Sequence, residues 1–304
     1  MHTSHLAAPN LDAPTLLQPR GQVLDETYAT SLIPAPRSAD SHKGNYGSVG
    51  VLGGADGMVG AAFLAARAAL KFGAGRVYVG LLAQHSPTVD LQQPELMLHS
   101  PNELFKFNLS VLVAGPGLGN TPDAYFLLQR ALEYAAPLVL DADALNLIAT
   151  YPELAEILQQ RSDNYPTLLT PHPGEAARSL GVSISSVQDD RIAAAQSLAQ
   201  QFNSYVVLKG AGSICMMPSG EYLINTSGNP GLASAGTGDV LTGMIAALIA
   251  QGLIARDALL LAVYAHGHAA DELVKNGIGP IGLTASELID AARQWLNSKH
   301  EANR

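Results

Sequence analysis

The sequence predicts an α/β fold: a mostly parallel central sheet, helices on both faces, and a small antiparallel hairpin at one edge. Three observations carry that expectation. From Ser48 onward, short apolar runs alternate with longer segments of helical period. Most of those runs end on glycine, proline or aspartate turns, as strands feeding helices do. Late in the chain, Ser213 to Met217 and Glu221 to Ile224 face each other across Pro218-Ser219-Gly220, the composition of a hairpin.

The elements follow in chain order. Met1 to Ser41 is rich in Pro, Ala, Ser and Thr and shows no long period, so residues 1–41 are expected to be a poorly structured N-terminal extension. They lack the basic start and apolar run of a secretory signal, and Asp12, Asp25 and Glu26 count against a transit peptide. Ser48 to Leu52 is a buried strand broken by Gly53-Gly54, and Gly60 to Phe72 a helix with Ala61, Leu64, Ala65, Ala68 and Phe72 on one side. Arg76 to Leu81 and Val111 to Ala114 read as strands. Thr121-Pro122-Asp123 starts a helix reaching Tyr134, with proline at its first position. Leu138 to Leu140 and Thr167 to Leu169 are strands, Asp189 to Phe202 a helix, and Tyr205 to Leu208 a strand before the hairpin. An apolar helix begins near Val240. Two more close the chain, around Ala258 to Val274 and after the capping box Thr284-x-x-Glu287. With no repeat or linker after residue 44, residues 42–304 are expected to form a single domain.

Composition narrows the function. The 304 residues, 47% of them hydrophobic, suffice for one large α/β domain, and 29 Gly with 18 Pro imply many tight loops. A net charge of −9 argues against nucleic acid or an acidic membrane as partner. The single cysteine, Cys215, excludes an internal disulfide and fits a reducing, cytoplasmic setting. The most hydrophobic run, Val240 to Ala250, falls short of the ~20 residues a membrane span needs.

The unusual residues gather at the ends of the strands, where ligands bind in such sheets. Gly53-Gly54-Ala55-Asp56-Gly57 is not a Rossmann fingerprint: the spacing is not G-x-G-x-x-G and no acidic residue follows at the required distance. Gly115-Pro116-Gly117-Leu118-Gly119 is a tight turn. In Asp141-Ala142-Asp143 two carboxylates stand where they would either organise a metal or cap the next helix. Thr170-Pro171-His172-Pro173-Gly174-Glu175 holds an imidazole and a carboxylate in a loop stiffened by prolines, and there a histidine is more than structural filler. Lys209, beside Gly210, suits phosphate as a point charge or the solvated end of a strand. Gly236-Thr237-Gly238 feeds a glycine loop into a helix N-terminus, where free N–H groups and the helix dipole favour an anion. Asp239 stands in the same turn, where it is expected to be ionised at neutral pH and to accept a proton. An anion hole beside a base suits phosphoryl transfer. A plain helix cap, with Thr237 capping and Asp239 matching the dipole, is the alternative.

Ala-Gly-Thr-Gly-Asp followed by Val-Leu-Thr-Gly resembles the nucleotide-site signature of the ribokinase-like superfamily. Within it, the chain resembles the NAD(P)H-hydrate dehydratases. His-Lys-Gly-Asn-Tyr-Gly (42–47), Gly-Gly-Ala-Asp-Gly-Met-Val-Gly-Ala-Ala (53–62), Gly-Pro-Gly-Leu-Gly, Asp-Ala-Asp-Ala-Leu-Asn, Thr-Pro-His-Pro-Gly-Glu, Val-Leu-Lys-Gly and Gly-Asn-Pro-Gly-Leu-Ala-Ser-Ala-Gly-Thr-Gly-Asp occur in the family's order, covering about Lys43 to Gly282. The resemblance implies a ribokinase-like three-layer α/β/α domain acting on NADHX or NADPHX, the dinucleotides hydrated at nicotinamide C6. Phosphate from ADP or ATP would turn the hydroxyl into a leaving group. By the same resemblance Asp239 is the base and the N–H groups of Gly236, Thr237 and Gly238 hold the phosphoryl. Lys209, Gly210, Ala211, Gly212, Ser213 and Gly238 would contact the adenine nucleotide, and Ala61, Gly117, His172 and Asp239 the hydrated dinucleotide. Glu175, where related kinases carry a metal-organising glutamate, would hold Mg²⁺ through water. The resemblance also implies a homo-oligomer, a tetramer in relatives, and an NAD(P)HX epimerase encoded elsewhere, since some forty residues precede the core. A ribokinase-like kinase of a small alcohol shares the anion hole and base.

Overall fold

Short runs rich in valine and leucine pair into strands because apolar, often branched side chains pack well on a pleated surface. Ten such runs share one sheet in the computed structural model, which describes residues 21–161 and 164–302. In chain order the elements are β1 (Gly21–Leu24), α1 (Glu26–Ser31), β2 (Ser48–Gly53), α2 (Val59–Lys71), β3 (Arg76–Leu81), β4 (Met97–His99), α3 (Pro101–Leu104), β5 (Val111–Ala114) and α4 (Pro122–Glu133). Then come β6 (Leu138–Leu140), α5 (Ala142–Thr150), α6 (Pro152–Gln159), β7 (Thr167–Leu169), α7 (Pro173–Leu180), α8 (Ile184–Asp189), α9 (Arg191–Phe202) and β8 (Tyr205–Leu208). The chain continues through β9 (Ile214–Met216), β10 (Tyr222–Asn225), α10 (Thr237–Ala250), α11 (Ala255–Lys275) and α12 (Ala285–Ala302).

The strand order is β1-β10-β9-β8-β7-β6-β5-β2-β3-β4. Every neighbouring pair is parallel except the two that β9 makes with β8 and β10. The period of two along each strand divides the core. Val49, Val51, Val111 and Val113 face one layer with Ala65, Ala69, Val240, Met244 and Leu248, while Leu52, Leu112 and Ala114 face the other with Leu128, Leu145 and Leu198. Helix α10 is apolar almost all round because α2, α11, α12 and the sheet surround it. Its approach to α2 is close: a Cβ at Gly243 would lie 2.0 Å from the Ala65 carbonyl oxygen. That contact fixes where the α10 N-terminus emerges.

The three-layer α/β/α arrangement expected of the sequence is present, with corrections at several elements. Residues 21–31 belong to the fold rather than to an unstructured extension: β1 pairs in parallel with β10, and α1 starts on an Asp25 cap that accepts from the Tyr28 N–H at 2.8 Å. Four residues with one buried side chain carry too little pattern to read as a strand. Residues 1–20 of that extension, including Asp12, lie outside the described residues. The hairpin therefore sits one strand in from the edge, with β1 outside it. The helix expected over Asp189 to Phe202 is α9, which begins two residues later because Asp190 breaks from helical geometry and caps it at the Ala193 N–H, 2.9 Å away; α8, just before it, is not among the expected elements. The Thr284 capping box is half made. Glu287 accepts from the Thr284 N–H at 2.8 Å, but its own N–H donates to the Thr284 carbonyl rather than the hydroxyl.

Candidate active site

Parallel strands deliver their C-terminal ends to one side of the sheet, so the loops after β2, β5, β6, β7 and β8 meet there. Hydrogen bonds tie several of these loops to their neighbours. Ala55 N–H donates to Gly117 O at 2.7 Å, Gly119 N–H to Asp143 Oδ2 at 2.8 Å, and Lys209 N–H to Pro171 O at 2.9 Å. A Cβ at Gly115 would lie 1.8 Å from Asp141 O, so only glycine lets these two turns nest. The Asp141 side chain does not cap α5, and among the described residues neither carboxylate of the Asp-Ala-Asp turn belongs to a cluster of three metal-ligating side chains. Asp143 holds the Gly119 turn, and Asp141 points inward.

Helix α10 opens into this side. Gly236 is its N-cap, at φ +88, and no side chain accepts a hydrogen bond there. Thr237 is no cap: its hydroxyl turns back and donates to the Leu232 and Ser234 carbonyls at 2.9 and 3.1 Å. The first-turn N–H groups of the fourteen-residue helix are thus left without a side-chain acceptor, a ready anion site.

Beneath that turn lies a buried charge network. Asp141, 1% exposed, takes Lys209 Nζ on Oδ1 at 2.8 Å and the Thr242 hydroxyl on Oδ2 at 3.1 Å. The Thr242 hydroxyl also reaches Gly238 O at 2.9 Å. Lys209 Nζ stands 4.0 Å from Glu175 Oε2, and 3.0 Å from where a Cβ on Gly238 would be. Lys209 is therefore not a solvated strand end. Burial opposes its charge, yet Asp141 and Glu175 hold its pKa above the ordinary lysine range. Asp239 corrects an expectation: burial first, then the carboxylates of Asp141, Asp143 and Glu175, push it up to about 7 against the pull of Lys209. It is only partly ionised at neutral pH, which is where a general base works best.

His172 and Glu175 close the N-terminus of α7. His172 Nδ1 accepts from the Gly174 and Glu175 N–H groups at 2.9 and 3.3 Å, while Glu175 Oε2 accepts from His172 N–H at 2.8 Å. Nδ1 being an acceptor puts the proton on Nε2, which lies 3.2 Å from Glu175 Oε1. Burial and the nearby Lys209 charge lower the His172 pKa, so the ring stays neutral; burial raises that of Glu175. About half of the His172 side chain remains exposed (49%).

Ala61 and Gly117 adjoin one another: a Cβ at Gly117, φ +58, would sit 3.2 Å from Ala61 Cβ and 2.6 Å from Met58 O. Beside them Met58, Gly119, Asp143, Asn146 and Tyr151 help line a cavity of about 370 Å³. Residues 209–213 form a turn pinned by Arg191, which donates to Ala211 O at 2.6 Å and Leu208 O at 3.1 Å. The sequence-derived positions thus come from several elements at this end of the sheet: Ala61 in the first turn of α2 beside Gly117, His172 and Glu175 at the start of α7, and Lys209 beneath Gly238. Sequence reasoning missed Asp141 as the partner of Lys209, and it missed Thr242 altogether. Thr242 shows only as a polar interruption of an apolar helix. Among the described residues no three metal-ligating side chains converge on one point, so an ion here would need phosphate and water oxygens to complete its shell.

The sequence profile of the family described as NAD(P)H-hydrate dehydratase matches residues 49–294. The chain is 39% identical over 284 residues to the ADP-dependent (S)-NAD(P)H-hydrate dehydratase of Neisseria meningitidis, covering 92% of this chain and 95% of that protein. It is 42% identical over 266 residues to the bifunctional NAD(P)H-hydrate repair enzyme of Coxiella burnetii, covering 86% of this chain and 52% of that protein. The chain thus spans about half the length of such bifunctional relatives. Its structure superposes on the Bacillus subtilis ADP/ATP-dependent NAD(P)H-hydrate dehydratase co-crystallised with ATP and Mg²⁺, with a TM-score of 0.80 at 29% identity over 94% of this chain and 100% of that one.

Proposed function

The chain belongs to the NAD(P)H-hydrate dehydratase family, and from that membership we propose that it returns hydrated NADH or NADPH to the reduced dinucleotide, with ADP or ATP as phosphoryl donor. The observation that carries the reading is the uncapped α10 N-terminus with Asp239 in its first turn, its pKa pushed up to about 7. Hydroxide leaves carbon poorly; phosphate leaves well. Asp239 takes the proton of the C6 hydroxyl as that oxygen bonds the terminal phosphorus and the nucleotide departs. The N–H groups of Gly236, Thr237 and Gly238 face the phosphoryl oxygens as charge moves, and Lys209 adds a partly buried positive charge below them. The phosphate then leaves with the C6–O electron pair, C5 loses a proton, and the ring double bond returns. His172, Gly117 and Ala61 flank the dinucleotide; residues 209–213 and Gly238 flank the adenine nucleotide. Mg²⁺, reached through water from Glu175, would neutralise phosphate charge. Because the base must be ionised, turnover should fall as pH drops through about 7.

We place the enzyme in the cytoplasm as a homo-oligomer, with the tetramer as the form that sedimentation would test. No described helix is long and apolar enough to cross a membrane.

The test incubates chemically hydrated NADH with the protein, Mg²⁺ and either nucleotide. Reduced-nicotinamide absorbance should rise in step with inorganic phosphate. A stable phosphate ester without regained absorbance would instead identify a kinase of a small alcohol.

A further inference from the structure

The anion-binding turn is not held by its own helix alone. The loop that leads into it, residues 225–236, lies on α11. A Cβ at Gly267 would fall 2.3 Å from Ser227 Oγ, so only glycine lets the loop descend that far. Ser227 Oγ donates to Tyr264 O at 2.9 Å. One turn further along α11, Asp271 takes two hydrogen bonds: Gly228 N–H on Oδ2 and Asn229 Nδ2 on Oδ1, both at 2.8 Å. Asn229 passes the constraint on. Its Oδ1 accepts from Gly231 N–H at 2.9 Å, and its carbonyl from Leu232 N–H at 3.1 Å. The Leu232 carbonyl in turn accepts the Thr237 hydroxyl at 2.9 Å. An unbroken run of contacts therefore leads from one carboxylate on α11 to the first residue of α10.

We propose that Asp271 is a positioning residue: paired with Asn229, it sets the height and angle of the Gly236–Gly238 turn against the transferring phosphoryl group. This rests on the dehydratase reading above. Asp271 does not enter the charge network around Lys209, and none of its hydrogen bonds goes to a residue placed there on substrate or nucleotide. Its effect must travel through Asn229. Misplacement of a turn by an ångström or so lowers the rate by about 100-fold when the chemistry depends on alignment.

The geometry offers a swap. Asp271→Asn alone sets one NH₂ group against another at Asn229, and Asn229→Asp alone sets carboxylate against carboxylate. The double variant Asn229→Asp/Asp271→Asn restores complementary partners, with Asp at 229 still able to accept from Gly231. Each single variant should lose about 10- to 100-fold in kcat with little change in nucleotide KM, and the double should recover most of the loss. Amide hydrogen exchange in residues 228–238 should quicken in the singles and return toward wild type in the double, with the rest of the chain unmoved. A merely structural aspartate would instead lower protection everywhere. The proposal is overturned if either single keeps wild-type kcat and exchange, or if the double does no better than the worse single, including failure of all three to fold. If wild-type protein does not regenerate NADH, the functional reading fails instead, and the exchange pattern alone still decides the positioning of the turn.

Discussion

Helices α7 and α10 begin on the same side of the sheet, each from a loop that carries proline, and each has a carboxylate in its first turn. They end up as opposites. At α7 the N-cap residue is His172, whose Nδ1 takes two backbone N–H groups while Glu175 reaches back to a third, so the terminus is closed by the protein itself. At α10 the N-cap is a left-handed glycine with nothing to offer, and the Thr237 hydroxyl points away to carbonyls. Both termini carry the positive end of a helix dipole, but only the open one has N–H groups to give. A glycine where a cap should be is what separates an anion site from a finished helix end.

The widest break in this contrast comes from below the open end. Lys209→Met leaves Asp141 buried with only the Thr242 hydroxyl for company, and removing one partner of a buried ion pair costs about 3–5 kcal/mol. Urea unfolding should show that loss, and Asp141→Asn/Lys209→Met should recover part of it. An unchanged midpoint in Lys209→Met would mean the pair is solvated.

Asp239 gives the next effect, with a sign set by pH. Its folded pKa is raised, so its contribution to stability is fully present below the unfolded carboxylate value and lost as pH rises through about 7. Asp239→Asn escapes that loss. It should be more stable than wild type at pH 8.5 by roughly 2–4 kcal/mol, and the gap should shrink toward pH 5. A gap independent of pH would rule out the raised pKa.

At the closed end the effect is smallest. His172→Ala removes the α7 cap and should cost about 0.5–2 kcal/mol. It should also weaken hydrated dinucleotide more than ADP, as titration of each ligand against the variant would measure. Equal weakening of both would reduce His172 to a cap.

Much of this contrast was legible in the sequence, because it is local. Gly236 to Asp239 lie in consecutive positions before an apolar run, and the prolines on either side of His172 announce a rigid loop. The parallel strands were legible for the same reason. What stayed hidden depends on pairs far apart in the chain: Lys209 meets Asp141 across 68 residues and Thr242 meets Asp141 across 101, and no spacing rule relates them. The Asp239 pKa was misjudged on the same ground, since the dipole is visible locally while burial and three neighbouring carboxylates are not. Strand β1 escaped notice because its pairing with β10 lies some 200 residues away, as the Thr226–Leu24 contact across 202 residues illustrates.

The most direct measurement of the central claim, that the open α10 terminus and Asp239 together carry the chemistry, is turnover of hydrated NADH by Asp239→Asn. If Asp239 only matches the helix dipole, the change costs about 0.3–1 kcal/mol of stability at most and leaves the rate nearly intact. As the base it is indispensable: kcat should fall by about 10²–10⁴-fold while both ligands still bind, the nucleotide as tightly as before or tighter. Near-normal regeneration of NADH by a folded Asp239→Asn protein would contradict it.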